Sequence, residues 1–225
     1  MMHPEHQRRA YLKAMGIDVW LPRDEPEPSA AVAGDATATA SLDWDELAAR
    51  VAGCTRCELS QSRTQTVFGV GKRTADWMII GEAPGGEEDR RGEPFVGRAG
   101  QMLDEMLRAI GLSRNAVFIA NILKCRPPNN RDPKPSEAAE CRGYLERQIE
   151  LVQPKIILAV GKIAAQNLLG CDDTVGRMRS RTHELHGIPL VVTYHPAYLL
   201  RSPSHKRDSW RDLCIAKRLA AGIDT

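Results

Sequence analysis

The stretch WMIIGEAPGG, residues 77–86, carries the pattern on which the fold of this chain is built. Its first four residues are apolar and predict a short buried strand, which the glycine at position 81 ends. The segment that follows is rich in glycine and proline and begins with a carboxylate, Glu82. We therefore expect a strand that leads directly into a polar turn.

Strands and helices alternate along the rest of the chain. Besides 77–80, the predicted strands are 117–122, 156–160 and 190–193, and the predicted helices are 43–52, 99–110, 136–152, 163–169 and 207–221. Asp43 and Ser136 are expected to cap two of these helices at their N-termini. The alternation predicts an α/β fold with a central, mostly parallel four-stranded sheet that helices cover on both faces.

In sheets of this kind the ligand site lies beyond the carboxyl ends of the strands. The predicted strand ends are Gly81–Pro84, Asn121, Gly161 and Tyr194–Pro196. Three of these four ends carry an unusual polar residue, so we expect the functional site at this edge of the sheet.

Length and composition are those of a soluble globular protein, with 225 residues of which 42 % are hydrophobic and 27 % charged. No apolar run approaches the length of a membrane span, and the N-terminus opens no apolar signal segment. We therefore expect a cytoplasmic protein with no membrane partner.

The net charge of +2 is unevenly distributed. Residues 1–50 carry 5 basic and 9 acidic side chains, whereas residues 176–218 carry 9 basic and 3 acidic side chains. The basic C-terminal part suits a polyanionic partner, although an ordinary solvated surface explains the asymmetry equally well.

Residues 1–41 are predicted to be an N-terminal extension to a domain that spans residues 42–225. Residues 26–41, PEPSAAVAGDATATAS, show no apolar period and predict a flexible linker. Before this linker, Gln7–Met15 is a short amphipathic stretch that is marginal as an isolated helix.

The cysteines suggest a metal centre. Cys54 and Cys57 form a C-x2-C pair, and Cys125 and Cys141 follow in the chain. Four cysteine ligands suit a structural zinc ion or an iron–sulfur cluster, whereas plain burial is the alternative for the two isolated cysteines. A disulfide framework is not expected in such a chain. The remaining cysteines, at positions 171 and 214, are expected to be buried small hydrophobic residues.

The segment GEAPGGEEDRRGEPFVGRAG, residues 81–100, holds six glycines and two prolines. Glycine permits tight turns and close approach of the backbone to a ligand. No Gly-Lys-Ser/Thr follows, so this is not a Walker loop, and its carboxylates argue against a phosphate cradle. The alternative interpretation is a long surface loop with Phe95 packed into the core.

Two further strand ends carry candidate functional residues. Asn121 ends an apolar strand, where its amide needs hydrogen-bond partners from the backbone or from a base edge. His195 follows another strand, and a lone histidine there is more often structural than catalytic. The tip that follows, Leu199-Leu200-Arg201, has the apolar and basic character that suits wedging into a base stack.

The four cysteines and three segments of the chain resemble a known family. The segments are residues 81–100, NILKCRPPNNRDP at 121–133 and HPAYLLRSP at 195–203. They resemble the family 4 uracil-DNA glycosylases over roughly residues 50–218 and not over residues 1–41. The resemblance implies a three-layer α/β/α domain that hydrolyses the N-glycosidic bond between uracil and deoxyribose in DNA. It also implies a [4Fe–4S] cluster, with the ligands Cys54, Cys57, Cys125 and Cys141.

The resemblance assigns the uracil pocket residue by residue. A glycosylase takes the base out of the stack, and Phe95 is expected to stack on it while Asn121 hydrogen-bonds uracil N3–H and O4. His195 is expected to donate a hydrogen bond to uracil O2, where negative charge develops as the bond breaks. Backbone N–H groups near Glu82 and Ala83 are expected to support this charge.

The resemblance also assigns the residues at the outer part of the site. Glu88 is expected to exclude the methyl group of thymine. Leu199, Leu200 and Arg201 are expected to fill or flank the gap that the flipped nucleotide leaves in the duplex.

The base that activates the water is not assigned by the resemblance. Family 1 relatives have an aspartate in the motif position that Ala83 occupies, and family 4 enzymes typically lack it. Glu82 is the adjacent candidate, and stabilisation of the uracil anion is the alternative source of much of the rate. No lysine in the matched motifs is placed as a Schiff-base nucleophile, so we expect a monofunctional enzyme, acting as a monomer.

Two other functions compete with the enzyme. One is a module that binds or captures uracil-DNA with little turnover, and the other is a metal-binding scaffold without a DNA partner. One branch of the superfamily captures uracil-DNA covalently through a basic insertion that bears a histidine. Residues 126–135 hold no histidine, which argues against covalent capture.

Overall fold

The computed structural model describes residues 39–179 and 181–223. The predicted amphipathic stretch Gln7–Met15 and residues 26–38 of the predicted linker lie outside the described residues. Thr39, near the end of that linker, is buried, and its hydroxyl donates to the carbonyl oxygen of Gly143 (3.5 Å). In the part of the chain that is described, no helix is both long and apolar enough to cross a membrane.

The described residues form one six-stranded sheet in the order β1-β3-β2-β4-β6-β5. Its strands are β1 Val70–Gly71, β2 Trp77–Gly81, β3 Phe118–Asn121, β4 Ile156–Val160, β5 Thr182–Leu185 and β6 Ile188–Thr193. The four central strands are parallel and are the four that the sequence predicts.

Two antiparallel edge strands, β1 and β5, were not predicted. β1 has only two residues, and the residues of β5 alternate between exposed and partly buried. Neither strand therefore shows the continuous apolar run of a strand that is buried on both faces.

Nine α-helices lie wholly within the described residues, besides three short 3₁₀ helices. They are α1 Trp44–Ala52, α2 Leu59–Ser62, α3 Gly86–Arg91, α4 Arg98–Ala109, α5 Pro135–Val152, α6 Lys162–Leu169, α7 Val175–Met178, α8 Pro196–Arg201 and α9 Lys206–Ala220. The five predicted helices are confirmed as α1, α4, α5, α6 and α9. The other four have four to six residues each, too few to show a helical period.

The two predicted N-caps differ in outcome. Asp43 caps α1 as predicted, because its Oδ1 accepts from the N–H groups of Asp45 and Glu46, both at 2.9 Å. Ser136 is not a cap, because α5 begins one residue earlier, at Pro135. Proline suits the first position of a helix, since it lacks only an N–H that would be unpaired there.

Alternate residues of the central strands point to opposite faces of the sheet. Met78 and Ile80 pack with α5 and α6 on one face, whereas Trp77 and Ile79 pack with α4, α8 and α9 on the other. The predicted three-layer α/β/α arrangement is therefore confirmed. Because β2, β3, β4 and β6 are parallel, their carboxyl ends meet at one edge of the sheet.

Candidate active site

A cavity of about 510 Å³ opens at the carboxyl edge of the sheet, where the sequence predicts the ligand site. Its walls come from the segment after β2, from the end of β3 and from the residues that follow β6. It is lined by Glu82, Ala83, Gly85, Glu88, Phe95, Ala99, Asn121, Asn130, Asp132, His195, Ala197, Tyr198 and Arg201. Six predicted uracil-binding and catalytic residues, from three separate segments, thus meet in one cavity.

Gly81 allows two side chains to converge at the end of β2. It pairs in register with Asn121 on the neighbouring parallel strand. A Cβ atom at position 81 would lie 2.4 Å from Asn121 Oδ1 and 2.6 Å from Phe95 Cζ. Asn121 and Phe95 can therefore adopt these positions only because residue 81 has no side chain.

Asn121 presents an unpaired acceptor. The residue is 2 % exposed, and its Oδ1 has no hydrogen-bond partner among the described residues. A buried polar atom left in this way costs about 1–3 kcal/mol, which a ligand with a suitable donor would offset. The strand end is held in place by Lys124, whose Nζ donates to the Asn121 carbonyl oxygen at 2.9 Å.

Phe95 has a backbone conformation that is rare for a residue with a side chain. Its φ is 54°, in the left-handed region, where non-glycine residues cost about 1–3 kcal/mol. The guanidinium of Arg114 donates to the carbonyl oxygens of Phe95 and Pro94 and so holds the turn. Gly100 is also required, since a Cβ there would lie 1.7 Å from the Phe95 oxygen.

Phe95 was interpreted either as a residue of the ligand site or as a core residue, and each interpretation is partly right. The residue is 7 % exposed and belongs to the core under α4, yet it also lines the cavity. Arg114, which holds the Phe95 turn, was missed because it lies outside the recognisable motifs.

Glu88 connects the two ends of the segment after β2. Its Oε2 accepts from the N–H of Gly85 (3.2 Å), and its Oε1 accepts from Val96 (3.0 Å) and Gly97 (3.2 Å). This segment is not a long irregular loop, because helix α3 occupies its middle. Both oxygens of Glu88 thus brace the wall that carries Phe95.

His195 is held as a neutral hydrogen-bond donor. Its Nδ1 accepts from the N–H of Ala197 at 3.1 Å, which places the ring proton on Nε2. Burial of the ring, and to a smaller extent the positive charge of Arg201, lowers the pKa of His195 to about 4. The negative charge of Glu88 acts in the opposite direction. The imidazole is therefore uncharged near neutral pH.

A buried network fixes the end of β6, two residues before His195. Asp212 on α9 accepts from the hydroxyl of Thr193 (2.9 Å) and from the guanidinium of Arg179 (2.8 and 3.0 Å). Arg179 also lies over the ring of Tyr194, 5.4 Å from its centroid. These contacts set the direction in which the chain leaves the sheet.

Glu82 and Asp132 bring two carboxyl groups to the same cavity. Burial raises the pKa of Glu82 to about 7, and the negative charge of Asp132 adds to this shift. Glu82 is therefore partly protonated near neutral pH. Sequence reasoning missed Asp132, because it lies in a proline-rich connection and the topology alone brings it opposite β2.

Comparison with known proteins identifies the family. A profile described as "Uracil DNA glycosylase superfamily" matches residues 68–217, about two thirds of the chain. The chain belongs to this superfamily. The family and the fold expected from the sequence motifs are therefore confirmed.

Relatives of this superfamily member carry the name "Type-4 uracil-DNA glycosylase". One, from Archaeoglobus fulgidus, is 41 % identical over 172 residues, which cover 73 % of this chain and 86 % of the relative. Another, from Thermotoga maritima, is 43 % identical over 159 residues, covering 70 % and 83 %. A third, from Saccharolobus solfataricus, is 43 % identical over 168 residues, covering 71 % and 78 %.

The structure agrees only in part with the expectation that Leu199, Leu200 and Arg201 of this superfamily member all contact the DNA. Leu200 is 37 % exposed and Arg201 is exposed, so both lie at the surface beside the cavity. Leu199 is 1 % exposed and packs in the core below α4 and α9. The helical turn of α8 points it away from solvent, so Leu199 does not share the position of its two neighbours.

The four predicted metal ligands lie near enough to one another for their charges to interact. Cys125 and Cys141 are buried, and Cys54 and Cys57 are partly buried. Burial raises the pKa of Cys57, Cys125 and Cys141, that of Cys141 to about 12, and the negative charges of the other thiolates add to each shift. Thiolates in such a place need a nearby positive charge.

The geometry alone does not mark a metal site. In residues 39–179 and 181–223, no three or more His, Cys, Asp or Glu side chains surround a common position as ligands of a single metal ion do. By its chemistry, the donor set of four cysteines suits either a zinc ion or an iron–sulfur cluster. Arg63 donates to Cys125 Sγ at 3.0 Å and to the Cys54 carbonyl oxygen at 2.7 Å.

Proposed function

We propose that this chain is a DNA-repair uracil-DNA glycosylase, which flips uracil out of DNA and hydrolyses its N-glycosidic bond. The observation that carries the proposal is the unpaired, buried Oδ1 of Asn121 in a cavity shared with Phe95 and His195. Membership in the superfamily and relatives named type-4 uracil-DNA glycosylases support the same reaction.

Recognition of the base follows from Phe95 and Asn121. The flipped base stacks on the Phe95 ring, and Asn121 Oδ1 accepts the hydrogen bond of uracil N3–H while the amide nitrogen donates to O4. Cytosine presents an unprotonated N3 and an amino group at these positions, which is the reversed pattern. The cavity therefore favours uracil over cytosine.

His195 stabilises the leaving group. When the bond between N1 and C1′ breaks, its electron pair remains on uracil, and negative charge spreads to O2. The Nε2–H of neutral His195 donates to this oxygen. Because the pKa of His195 is about 4, the ring does not have to lose a proton before it acts at neutral pH. Hydrogen bonds of this kind typically contribute about 10²–10³ in rate.

Glu82 supplies the base for the water. In its ionised form it accepts a proton from the water whose oxygen bonds to C1′. Glu82 then releases this proton to solvent and the uracil anion takes one up, so the products are uracil and an abasic site. A pKa of about 7 keeps a substantial fraction ionised at neutral pH. No lysine lines the cavity in the part of the chain that is described, which supports hydrolysis without a Schiff-base step.

The DNA partner lies over the rim of the cavity. Leu200 fills the space that the flipped nucleotide leaves, and Arg201 contacts an adjacent phosphate. Glu88, which lines the cavity and is held by the N–H groups of Val96 and Gly97, excludes the methyl group of thymine.

We infer that Cys54, Cys57, Cys125 and Cys141 hold a [4Fe–4S] cluster. When bound, the cluster cross-links the segment before β1, the connection after β3 and helix α5, and the proposed hydrolysis requires no electron from it. None of the described cysteines forms a disulfide, which suits a reducing compartment such as the cytoplasm.

The test is excision from a labelled oligonucleotide that contains a single uracil, followed by alkaline cleavage. We expect a cut at the uracil position only after alkali, and none in the same oligonucleotide with thymine. Cleavage without alkali would contradict the monofunctional reaction. Absence of cleavage by a folded, iron-containing protein would contradict the enzyme itself and favour the binding module.

A further inference from the structure

We propose a second DNA-contact site on α9, where the exposed indole of Trp210 stacks on an unpaired base of the strand that flanks the uracil. Basic side chains of the same helix contact the phosphates of that strand. This inference rests on the proposed function, because it extends the path of the same DNA beyond the active-site cavity.

The site is a groove of about 330 Å³ between α4 and α9, which we call the Trp210 groove. Its walls are apolar and include Met102, Met106 and Leu213. Trp210 is 47 % exposed, whereas Trp77 is 6 % exposed in the core. An aromatic face beside an apolar groove on the surface is typical of a binding site.

The Trp210 groove adjoins the active-site cavity across helix α8. Leu199 lines the groove, whereas its neighbours Ala197, Tyr198 and Arg201 line the cavity. Leu200, which we place in the gap of the duplex, is exposed between the two. A strand that leaves the cavity over α8 therefore reaches Trp210 next.

The charge around the groove favours a polyanion. Lys206, Arg207 and Arg211 are all exposed on α9, and Arg201 is exposed at the end of α8. Two carboxylates oppose them. Glu105 in the groove wall pairs with Arg108 at 2.6 Å, and Asp208 accepts from His205 at 3.3 Å and lies 3.8 Å from Arg211. Ion pairs between exposed side chains are weak, so these basic side chains remain available to bind phosphate.

Ser209 gives a second, independent sign of a ligand. It lines the groove, is 2 % exposed, and its hydroxyl has no hydrogen-bond partner among the described residues. A serine inside a helix ordinarily bonds to a carbonyl oxygen of the preceding turn. The edge of a base stacked on Trp210 would offer the missing partner.

Stacking on Trp210 suits single-stranded DNA, and the Ser209 hydroxyl, which can donate or accept, does not select one base over another. Aromatic side chains and a basic surface together bind unpaired strands with little sequence preference, because every base has a flat face. A duplex hides these faces in its own stack. We therefore expect Trp210 to strengthen binding to single-stranded DNA more than to double-stranded DNA.

The experiment compares Trp210→Ala and Trp210→Phe with the wild-type protein, reconstituted with its cluster. The probe is a single-stranded oligonucleotide of about 16 nucleotides, a length typical of such sites, with one central 2′-fluoro-deoxyuridine that resists excision. We expect Trp210→Ala to weaken binding about tenfold and Trp210→Phe to retain most of it. Wild-type tryptophan fluorescence should be quenched by the probe, and this quenching should be largely lost in Trp210→Phe.

Two substitutions serve as matched controls. Ile223→Ala removes an exposed apolar side chain beyond the other end of α9, and Lys155→Ala removes a positive charge at the amino end of β4, opposite the cavity. Neither should change the affinity. Lys206→Ala and Arg207→Ala should each reduce the slope of log affinity against log salt by about 0.7.

The outcomes separate this inference from the proposed function. Unchanged DNA affinity and unchanged fluorescence quenching in Trp210→Ala would overturn the second site, even if the wild-type protein excises uracil. Excision from a short oligonucleotide that ends before the groove should be equal in wild type and Trp210→Ala. Failure of the wild-type protein to excise uracil from any oligonucleotide would instead contradict the proposed function.

Discussion

The ring of Phe95 lies 5.7 Å from the imidazole of His195, measured between centroids, and the two ring planes are inclined by 31°. Phe95 follows α3 and His195 follows β6, so two segments far apart in sequence form this pair. Asn121 at the end of β3 lines the same cavity. In the proposed complex a flat base stacks on Phe95 and offers its edge to His195 and Asn121.

Loss of the His195 donor should slow excision and spare binding. His195→Ala removes the Nε2–H that we place at uracil O2, so the single-turnover rate should fall about 10²–10³-fold. Affinity for DNA with 2′-fluoro-deoxyuridine should change little, because the ring acts chiefly on the developing anion. Full activity in this variant would remove His195 from the mechanism.

Asn121→Asp should abolish uracil preference. The substitution replaces the amide donor with a carboxylate, whose charge repels uracil O4, and excision should fall at least about 100-fold. Asn130→Asp is the matched control, because Asn130 also lines the cavity but its Oδ1 already accepts from Arg126 at 2.8 Å. Rates on uracil and cytosine oligonucleotides decide the outcome. An unchanged ratio in Asn121→Asp would refute its role in reading the base.

The excision rate should depend on pH through Glu82. Burial raises the pKa of Glu82 to about 7, so the group is neutral below this pH and ionised above it. If the ionised form accepts the proton of water, the single-turnover rate rises as the pH increases through about 7 and then levels off. Glu82→Gln should be slow and independent of pH in this range. A rate that falls with rising pH would contradict the role as a base.

Asp132 should tune this titration. Its negative charge opposes ionisation of Glu82, so Asp132→Asn should move the midpoint of the pH–rate profile to lower pH. Asp76→Asn is the control, since Asp76 lies before β2 at the opposite edge of the sheet and pairs with Lys155 at 3.1 Å. A merely structural role for Asp132 would change the rate without moving the midpoint.

Gly81→Ala should disturb the site more than the fold. The added Cβ would lie 2.4 Å from Asn121 Oδ1 and 2.6 Å from Phe95 Cζ, so both side chains must move. Misplacement on this scale can cost about 100-fold in kcat/KM. Gly53→Ala is the control, because a Cβ there meets only the Ala49 carbonyl oxygen at 3.7 Å. Equal activity of the two variants would contradict this account of Gly81.

The cluster should depend on four of the six cysteines. Cys141→Ser should lose iron and lower the melting temperature, because the cross-link to α5 is lost. Cys171→Ser and Cys214→Ser are matched controls that should keep about four irons per chain. Measurements of iron, sulfide and thermal unfolding test this directly. A wild-type protein that contains zinc and no iron would overturn the assignment.

Local sequence patterns predicted much of the fold. The apolar runs of β2, β3, β4 and β6 were visible because both faces of these strands are buried, which removes any alternation. The capping box at Asp43 located α1 for an equally local reason. The short helices α3 and α8 and the edge strands β1 and β5 were missed, because each is too short or too exposed to leave a periodic signal.

The sequence by itself determined the parallel sheet, the edge at which the cavity lies and, through recognisable motifs, part of the set of residues that line it. Only the tertiary structure decided that Asp132 faces Glu82, that Arg114 holds Phe95 in its left-handed conformation and that Leu199 is buried while Leu200 is exposed. These facts depend on contacts between segments far apart in the chain. Sequence periodicity reports which face of an element is buried, and it carries no information on which distant side chain meets that face.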